Sequence, residues 1–167
     1  MSSDKTPKPR MAAALLQRCS FSRDTVRELQ RATEHCRGRG GQLTDLRRLI
    51  YGILLQHRSP IGAYEMIQII SELGGKTVAP TTVYRAVDFL IEMGLVARVA
   101  SRSSFVVCAH PDHDHECIFF ICRSCGSAEE VEDKRLDALI RNEAQGLGFK
   151  PLHRVLEVEG ICRECRS

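Results

Sequence analysis

Apolar residues in the first part of the chain recur at steps of three and four, which is the spacing of one buried helix face. Thr44 precedes the first such stretch, residues 63–73 form a second, and a third follows Pro80 and stops at Gly94. An earlier helix is predicted over residues 22–36, because the serine that opens it can cap a free backbone amide. The pattern therefore predicts a compact helical unit.

Two short segments rich in β-branched residues follow the helices. Residues 95–100 and 104–109 are separated by three residues, which predicts a β-hairpin. Three helices followed by a hairpin is the order of a winged-helix domain. The remaining predicted elements are a strand, a helix and a strand, at residues 118–121, 133–147 and 152–159. They predict a second, smaller domain.

The chain is therefore predicted to be an α+β protein with two small domains. Domains of about 100 residues are common, and smaller ones are stable when they are stapled. We divide the 167 residues into a disordered or weakly ordered segment, a winged-helix domain, a hinge and a small α/β domain, at residues 1–20, 21–108, 109–116 and 117–167.

Charge is divided unevenly along the chain. Residues 1–60 carry 12 Lys and Arg against 5 Asp and Glu, whereas residues 61–167 carry 12 against 16. A basic segment favours a polyanion such as nucleic acid, although a solvated surface explains the charge equally well. The chain has no apolar run of about 18 residues and no charged-then-apolar leader, so we expect a soluble cytoplasmic protein without a membrane partner.

Four of the eight cysteines form two spaced pairs. Cys122 and Cys125 make one Cys-x2-Cys turn, and Cys162 and Cys165 make another after 36 intervening residues. Each turn presents two thiolates about one tetrahedral edge apart, so two turns complete a zinc site. A redox pair or two disulfides are the competing interpretations, but the doubled spacing in a reducing compartment favours zinc. Four sulfurs leave no open position, which makes this zinc structural.

A second group of possible ligands lies between the hairpin and the first cysteine pair. It consists of Cys108, His110, Asp112, His113, Asp114, His115, Glu116 and Cys117. A solvated polar loop is the alternative interpretation. The position of the group at the junction of the two domains favours a metal-dependent switch.

Together these features resemble the ferric uptake regulator family, and within it the zinc uptake regulator branch. The resemblance depends on Leu43 and Thr44 with Arg47 at the start of a helix, on residues 82–85 (TVYR), on the junction group and on both cysteine pairs. It implies a homodimeric metal-dependent regulator that dimerises through the C-terminal domain. A loaded hinge site would set two winged helices at the spacing of a palindromic operator.

The resemblance also implies the ligands of the hinge metal. The zinc branch matches Cys108 at the end of the second hairpin strand, His115 before the next strand, and Glu130. Close relatives have a histidine on the first hairpin strand, where this chain has Ala97. We assign the fourth ligand to His113, because the His-x-His spacing places two imidazoles on one face of an extended segment. The alternatives are His110, Cys117 and His153.

A thiolate ligand favours zinc over iron or manganese, because softer ligands shift selectivity toward zinc. We therefore expect two zinc ions per chain, one structural and one regulatory. The regulatory site is expected to switch DNA binding on when it is loaded.

The third helix is predicted to enter the major groove of DNA. Tyr84 and Arg85 lie in its N-terminal half, where arginine can read guanine and tyrosine can pack on a thymine methyl group or bind a phosphate. The alternatives are a partly buried core aromatic and a surface ion pair. The hydroxyls of Thr81 and Thr82 are expected near phosphate, and Arg102 at the wing tip is expected to contact the backbone.

The function that these expectations support is a zinc-responsive repressor of zinc uptake genes that binds palindromic operator DNA as a dimer. An iron- or manganese-sensing member of the same family and a zinc-ribbon interaction module are the alternatives. We expect no enzyme, because the chain has no His-Glu-x-x-His motif and no His-x-Glu followed by Pro-Cys-x-x-Cys.

Overall fold

The computed structural model describes most of the chain. The described residues are 9–57, 59–74, 78–109, 111, 116–151 and 154–166. The helices are α1 (Pro9–Arg18), α2 (Arg23–Gly38), α3 (Asp45–Gln56), α4 (Ala63–Gly74), α5 (Pro80–Glu92) and α6 (Lys134–Gly146). The strands are β1 (Ile61–Gly62), β2 (Val96–Val99), β3 (Ser104–Val107), β4 (Glu116–Cys122), β5 (Ala128–Val131) and β6 (Arg154–Gly160). Short 3-10 helices cover Ala100–Arg102 and Arg163–Cys165.

The five helices before β2 pack with a three-stranded sheet to form the winged-helix domain. Strand β3 pairs antiparallel with both β1 and β2, so the strand order is β1-β3-β2. The apolar faces predicted for α3, α4 and α5 all enter one core, where Leu49, Met66 and Leu90 are fully buried. The predicted helices and hairpin are confirmed.

Helix α1 lies in the segment before residue 21, which the sequence predicted to be disordered or weakly ordered. It packs against α3 and α4, and Ala12 and Leu15 are buried. One methyl group of Leu15 lies 2.6 Å from the position that a Cβ on Gly74 would take, so this glycine admits the close approach. A short apolar run such as AAALL does not show which elements it packs against, and the helix was therefore not predicted from the sequence.

The described part of the second domain is a three-stranded sheet with one helix. Strand β4 lies in the centre, antiparallel to β5 and parallel to β6. A parallel pair needs a crossover connection, and α6 lies in that connection. Asp133 caps α6 by accepting a hydrogen bond from the amide of Arg135 at 2.9 Å. The predicted α+β class is confirmed, while β5 was absent from the sequence prediction.

The two domains meet along the wing hairpin formed by β2 and β3. Ala97, Val99 and Cys108 of the first domain form a buried cluster with Phe119 and Ile121 of β4. We call this cluster the interdomain seam. No helix among the described residues is long and apolar enough to cross a membrane.

Candidate metal centre and nucleic-acid interface

The four paired cysteines converge at one end of the second sheet. The first knuckle (residues 122–126) begins at the last residue of β4 and the second knuckle (residues 162–165) follows β6. These two strands run parallel. All four sulfur atoms lie within 4.8 Å of one another. The Sγ atoms of Cys125 and Cys162 are 3.8 Å apart, which equals the sulfur edge of a tetrahedron with zinc–sulfur bonds of about 2.3 Å.

Hydrogen bonds lower the pKa of both cysteines of the first knuckle and so favour their thiolate forms. The amide of Cys162 donates to Cys122 Sγ at 3.3 Å, and such hydrogen bonds lower the pKa of Cys122 to about 6. Gly126 has a φ of +78°, the left-handed conformation in which its amide donates to the carbonyl of Cys122 at 2.9 Å. All seven cysteines whose side chains the structure describes are free of disulfides. The donor set fits a structural zinc ion better than a redox pair.

The junction brings one predicted ligand from each domain together. Cys108 ends the wing hairpin and is 4% exposed, with its amide bonded to the carbonyl of Leu95 at 3.0 Å. Glu130 comes from β5 of the second domain, and its Oε2 accepts a hydrogen bond from the amide of Ala109 at 2.6 Å. The Glu130 carboxylate therefore binds the backbone directly after Cys108. Ala97 belongs to the same interdomain seam as Cys108 and offers no ligand atom.

The other predicted junction ligands lie outside the described residues. They are His113 and His115, together with the alternatives His110 and His153, while the side chain of Cys117 is also not described. Among the side chains that are described, the four knuckle cysteines form the one group of three or more ligands within coordinating reach. Cys108 and Glu130 thus need at least one donor from the remaining residues, and the roles of His113 and His115 stay predictions.

Two histidines that the sequence pattern did not single out lie on cavities beside the junction. A cavity of about 810 Å³ is lined by Cys108, Tyr51 and His35, and a second of about 390 Å³ is lined by Glu130 and His57. Nε2 of His35 is 2.8 Å from the carbonyl of Met93. These residues are distant in sequence from the junction, so only packing reveals them.

Helix α5 presents part of its predicted DNA-reading face. Thr81 and Arg85 are exposed. Tyr84 is half-buried, with its ring edge-on to that of Phe105 of the wing at a centroid distance of 6.5 Å. Thr82 is 9% exposed, so its hydroxyl is much less accessible than a phosphate contact requires. The DNA-contacting roles of these residues stay predictions.

Arg102 lies at the tip of the wing, but its guanidinium faces the second domain. Its Nη2 donates to the carbonyl of Cys122 at 3.0 Å, at the start of the first knuckle. In this conformation Arg102 binds protein, and its contact with the DNA backbone stays a prediction.

Comparison with known proteins identifies the family. The family model described as the ferric uptake regulator family matches residues 38–159, which include the wing, the junction and β4 to β6. The chain belongs to the ferric uptake regulator family. The resemblance found from the sequence motifs is confirmed.

Relatives within the family include regulators of zinc uptake and of the peroxide response. The zinc uptake regulation protein of Escherichia coli is 32% identical over 147 residues, which cover 87% of this chain and 85% of the relative. The peroxide operon regulator of Bacillus subtilis is 31% identical over 145 residues, covering 83% and 93%. These relatives are regulators, which confirms the expectation that the chain is not an enzyme.

Solved structures of zinc uptake regulators match both domains. A zinc uptake regulator complexed with zinc and DNA has a TM-score of 0.81 at 32% identity, covering 87% of this chain and 97% of that chain. The holo form of XcZur has a TM-score of 0.75 at 36% identity, covering 83% and 96%. The arrangement of the two domains in this family member is therefore similar to that of metal-loaded relatives.

Proposed function

We propose that this protein is a zinc-responsive transcriptional repressor of zinc uptake genes that binds palindromic operator DNA as a homodimer. Its relatives include zinc uptake regulation proteins at 32% and 33% identity. Its fold also matches a zinc uptake regulator solved with zinc and DNA, at a TM-score of 0.81.

The observation that carries this proposal is the hydrogen bond between Glu130 and the backbone directly after Cys108. These two ligands belong to different domains, and the 2.6 Å hydrogen bond from Ala109 to Glu130 holds them as neighbours. A bound zinc ion would supply the attraction that keeps both ligands, and hence both domains, in one arrangement. Changing a dimer from about 1% to about 99% binding-competent takes about 5.5 kcal/mol of differential affinity, and a site split between domains can differ by that much between open and closed forms.

We propose two zinc ions per chain. The structural ion would bind Cys122, Cys125, Cys162 and Cys165. The regulatory ion would bind Cys108, Glu130, His113 and His115. Because Ala97 contributes no donor, the alternatives for the fourth ligand are His110, Cys117 and His153.

The surface of the second domain supports dimerisation. Several of its large apolar side chains are exposed: Phe120, Val131, Leu136, Leu139, Val155, Val158 and Ile161. The strand register places Phe120, Val131 and Val158 on the same side of the sheet, and exposed apolar surface of this kind marks an interaction site. Phe120 lies on the opposite side of β4 from the seam residues Phe119 and Ile121, so a dimer formed there leaves the wing contacts intact.

For DNA reading we propose that α5 enters the major groove with Arg85 as the base-reading side chain and Thr81 at a phosphate. Tyr84 combines a structural and a reading role, since its ring packs on Phe105 while part of it stays exposed. The excess of basic residues before residue 60 supports an attraction to DNA.

A fluorescence-anisotropy titration tests the function. The protein, holding only its structural zinc, is titrated with buffered free zinc in the presence of a labelled palindromic promoter fragment. We expect operator affinity to rise about 100-fold or more as the second ion binds, while the protein remains dimeric throughout. Equal operator affinity with one and with two zinc ions would favour a zinc-ribbon interaction module. A gain in operator affinity at a lower free concentration of iron or manganese than of zinc would favour an iron- or manganese-sensing member of the family.

A further inference from the structure

Glu157 of β6 contacts the other domain across the interdomain seam, and it belongs to neither proposed zinc site. Its Oε1 accepts from the amide of Ala100 at 2.6 Å, and its Oε2 accepts from the amide of Ser101 at 3.1 Å. Partial burial would raise the pKa of Glu157, but hydrogen bonds from Ser101 and Ala100 outweigh that effect and hold the pKa below its ordinary value. The carboxylate is thus ionised and bound to the tip of the wing by both oxygens at neutral pH.

Arg102 makes a second contact from the same tip. Its guanidinium donates to the carbonyl of Cys122. A Cβ on Gly126 would lie 3.3 Å from Arg102 Nη1, so the guanidinium also lies against the turn of the first knuckle. The wing tip therefore contacts both a strand of the second domain and the backbone of its zinc knuckle.

These contacts lie at the opposite end of the hairpin from the junction ligands. In the hairpin register Val99 faces Ser104 at the tip, and Val96 faces Val107 beside Cys108. Three residue steps separate these pairs, which is about 10 Å along a strand. The seam fills the interval, so the two domains are joined at both ends of one hairpin.

We propose that Glu157 and Arg102 form a metal-independent clamp on the wing tip that holds the domains closed and so sets the zinc concentration at which the regulator responds. The proposal rests on the proposed function, because it requires that the closed form binds DNA. The clamp contains no metal ligand: Glu157 binds backbone amides, and Arg102 binds a backbone carbonyl. When the closed form that binds zinc is only a minor population, the apparent zinc affinity of the protein falls in proportion to that population. A weaker clamp therefore raises the zinc concentration that is needed for DNA binding.

The test compares Glu157→Gln with Glu159→Gln in the full-length dimer. Glu159 lies two residues along β6, on the same side of the strand, and its carboxylate is 3.8 Å from Arg123 at the surface instead of bonding to the wing. Each variant loses one charge from one strand. Only Glu157→Gln weakens the clamp, because glutamine keeps one acceptor oxygen and presents an NH2 group to the other wing amide. Zinc analysis first verifies that both retain their structural ion.

Two readouts are measured on each variant. For Glu157→Gln we expect the zinc midpoint of operator binding to rise about tenfold, with full affinity restored at excess zinc. We also expect faster hydrogen exchange at the amides of Ala100 and Ser101 in protein that holds only the structural ion. Glu159→Gln is expected to stay within about twofold of the wild type in both measurements.

Equal behaviour of the two variants in both readouts overturns the proposal. Arg102→Ala opens the clamp from the wing side, and it is judged by hydrogen exchange at Ala100 and Ser101 without DNA because Arg102 is also a predicted DNA contact. Faster exchange in this variant keeps the test decisive should Glu157→Gln lose its structural ion. If wild-type protein shows no zinc-dependent DNA binding, the proposed function fails, while the exchange comparison still decides whether the clamp exists.

Discussion

The two metal sites proposed for this protein differ in how their ligands are held before a metal binds. The four knuckle cysteines follow two adjacent parallel strands of one domain, and their sulfur atoms already lie within 4.8 Å of one another. The proposed junction ligands Cys108 and Glu130 come from different domains, joined by one hairpin end and a hydrogen bond from Ala109. The first site is organised by its own domain, whereas the second depends on how two domains are placed.

This difference separates stability from regulation. A site whose ligands are preorganised in one small domain adds its binding energy to the folding of that domain. A site whose ligands lie in two domains adds its binding energy to their relative arrangement, and that energy is available to change DNA affinity.

The largest expected effect follows from removing a knuckle sulfur. Cys122→Ser should unfold the second domain, because apparent zinc-binding energies of about 10–16 kcal/mol support domains of this size. Circular dichroism and zinc analysis measure the loss of structure and of the structural ion. Cys19→Ser, which removes a half-buried thiol from the winged-helix domain, is the control. A folded Cys122→Ser domain with normal zinc content would remove the distinction between the two sites.

Removing a junction ligand should leave the fold intact and weaken DNA binding. At limiting free zinc we expect Glu130→Gln to lower operator affinity at least about 100-fold, since even outer-shell changes cost about 10–100-fold in metal affinity. Glu129→Gln is the matched control, because Glu129 pairs with the exposed Phe120 while Glu130 pairs with the buried Phe119. His115→Ala should behave as Glu130→Gln does. Unfolding of these variants to the same extent as Cys122→Ser would contradict the assignment.

The DNA-reading face should be separable from both metal sites. Arg85→Ala is expected to reduce operator affinity about 10–100-fold, because a base-reading arginine contributes about 1–3 kcal/mol. Zinc content and the zinc midpoint should not change. Arg31→Ala is the control, since Arg31 is exposed on α2 and pairs with Glu28 at 2.9 Å. An equal loss in both variants would indicate a general charge effect.

The smallest expected effect comes from restoring a histidine on the first hairpin strand. Ala97→His adds an imidazole beside Cys108, but the larger side chain must fit a seam in which Ala97 is 6% exposed. Overpacking of this kind costs about 1–3 kcal/mol, so we expect the zinc midpoint to fall only about threefold. Ala97→Leu has the bulk without the donor and should raise the midpoint. A fall with leucine would show that bulk, not coordination, acts there.

The sequence predicts best what is local. Thr44, Pro80 and Gly94 bound helices through backbone chemistry that acts within a few residues, and the structure has those helices. The two cysteine pairs could also be predicted from the sequence, because a Cys-x2-Cys turn fixes the distance between its own two sulfur atoms. Glu130 was predicted as a ligand only through the family resemblance, because the number of residues between it and Cys108 does not predict that they lie near each other in the fold.

The remaining features depend on packing between distant parts of the chain. The position of α1 depends on its packing against α3 and α4. The sequence of β5, AEEV, is acidic and lacks the apolar alternation that would predict a strand. Arg102 was predicted from its place at a wing tip, and the nearness of Cys122 to that tip arises only when the domains close. Glu157 gave no signal at all, since an exposed-looking glutamate in a strand is ordinary.

Small-angle X-ray scattering of the dimer with one and with two zinc ions per chain tests the central claim most directly. With only the knuckles loaded, we expect a broad particle whose winged-helix domains sample several positions. Loading the junction should give one compact arrangement that the closed structure fits, in step with the gain in operator affinity. An unchanged scattering profile accompanied by that same gain would contradict the account, because zinc would then act without fixing the two domains.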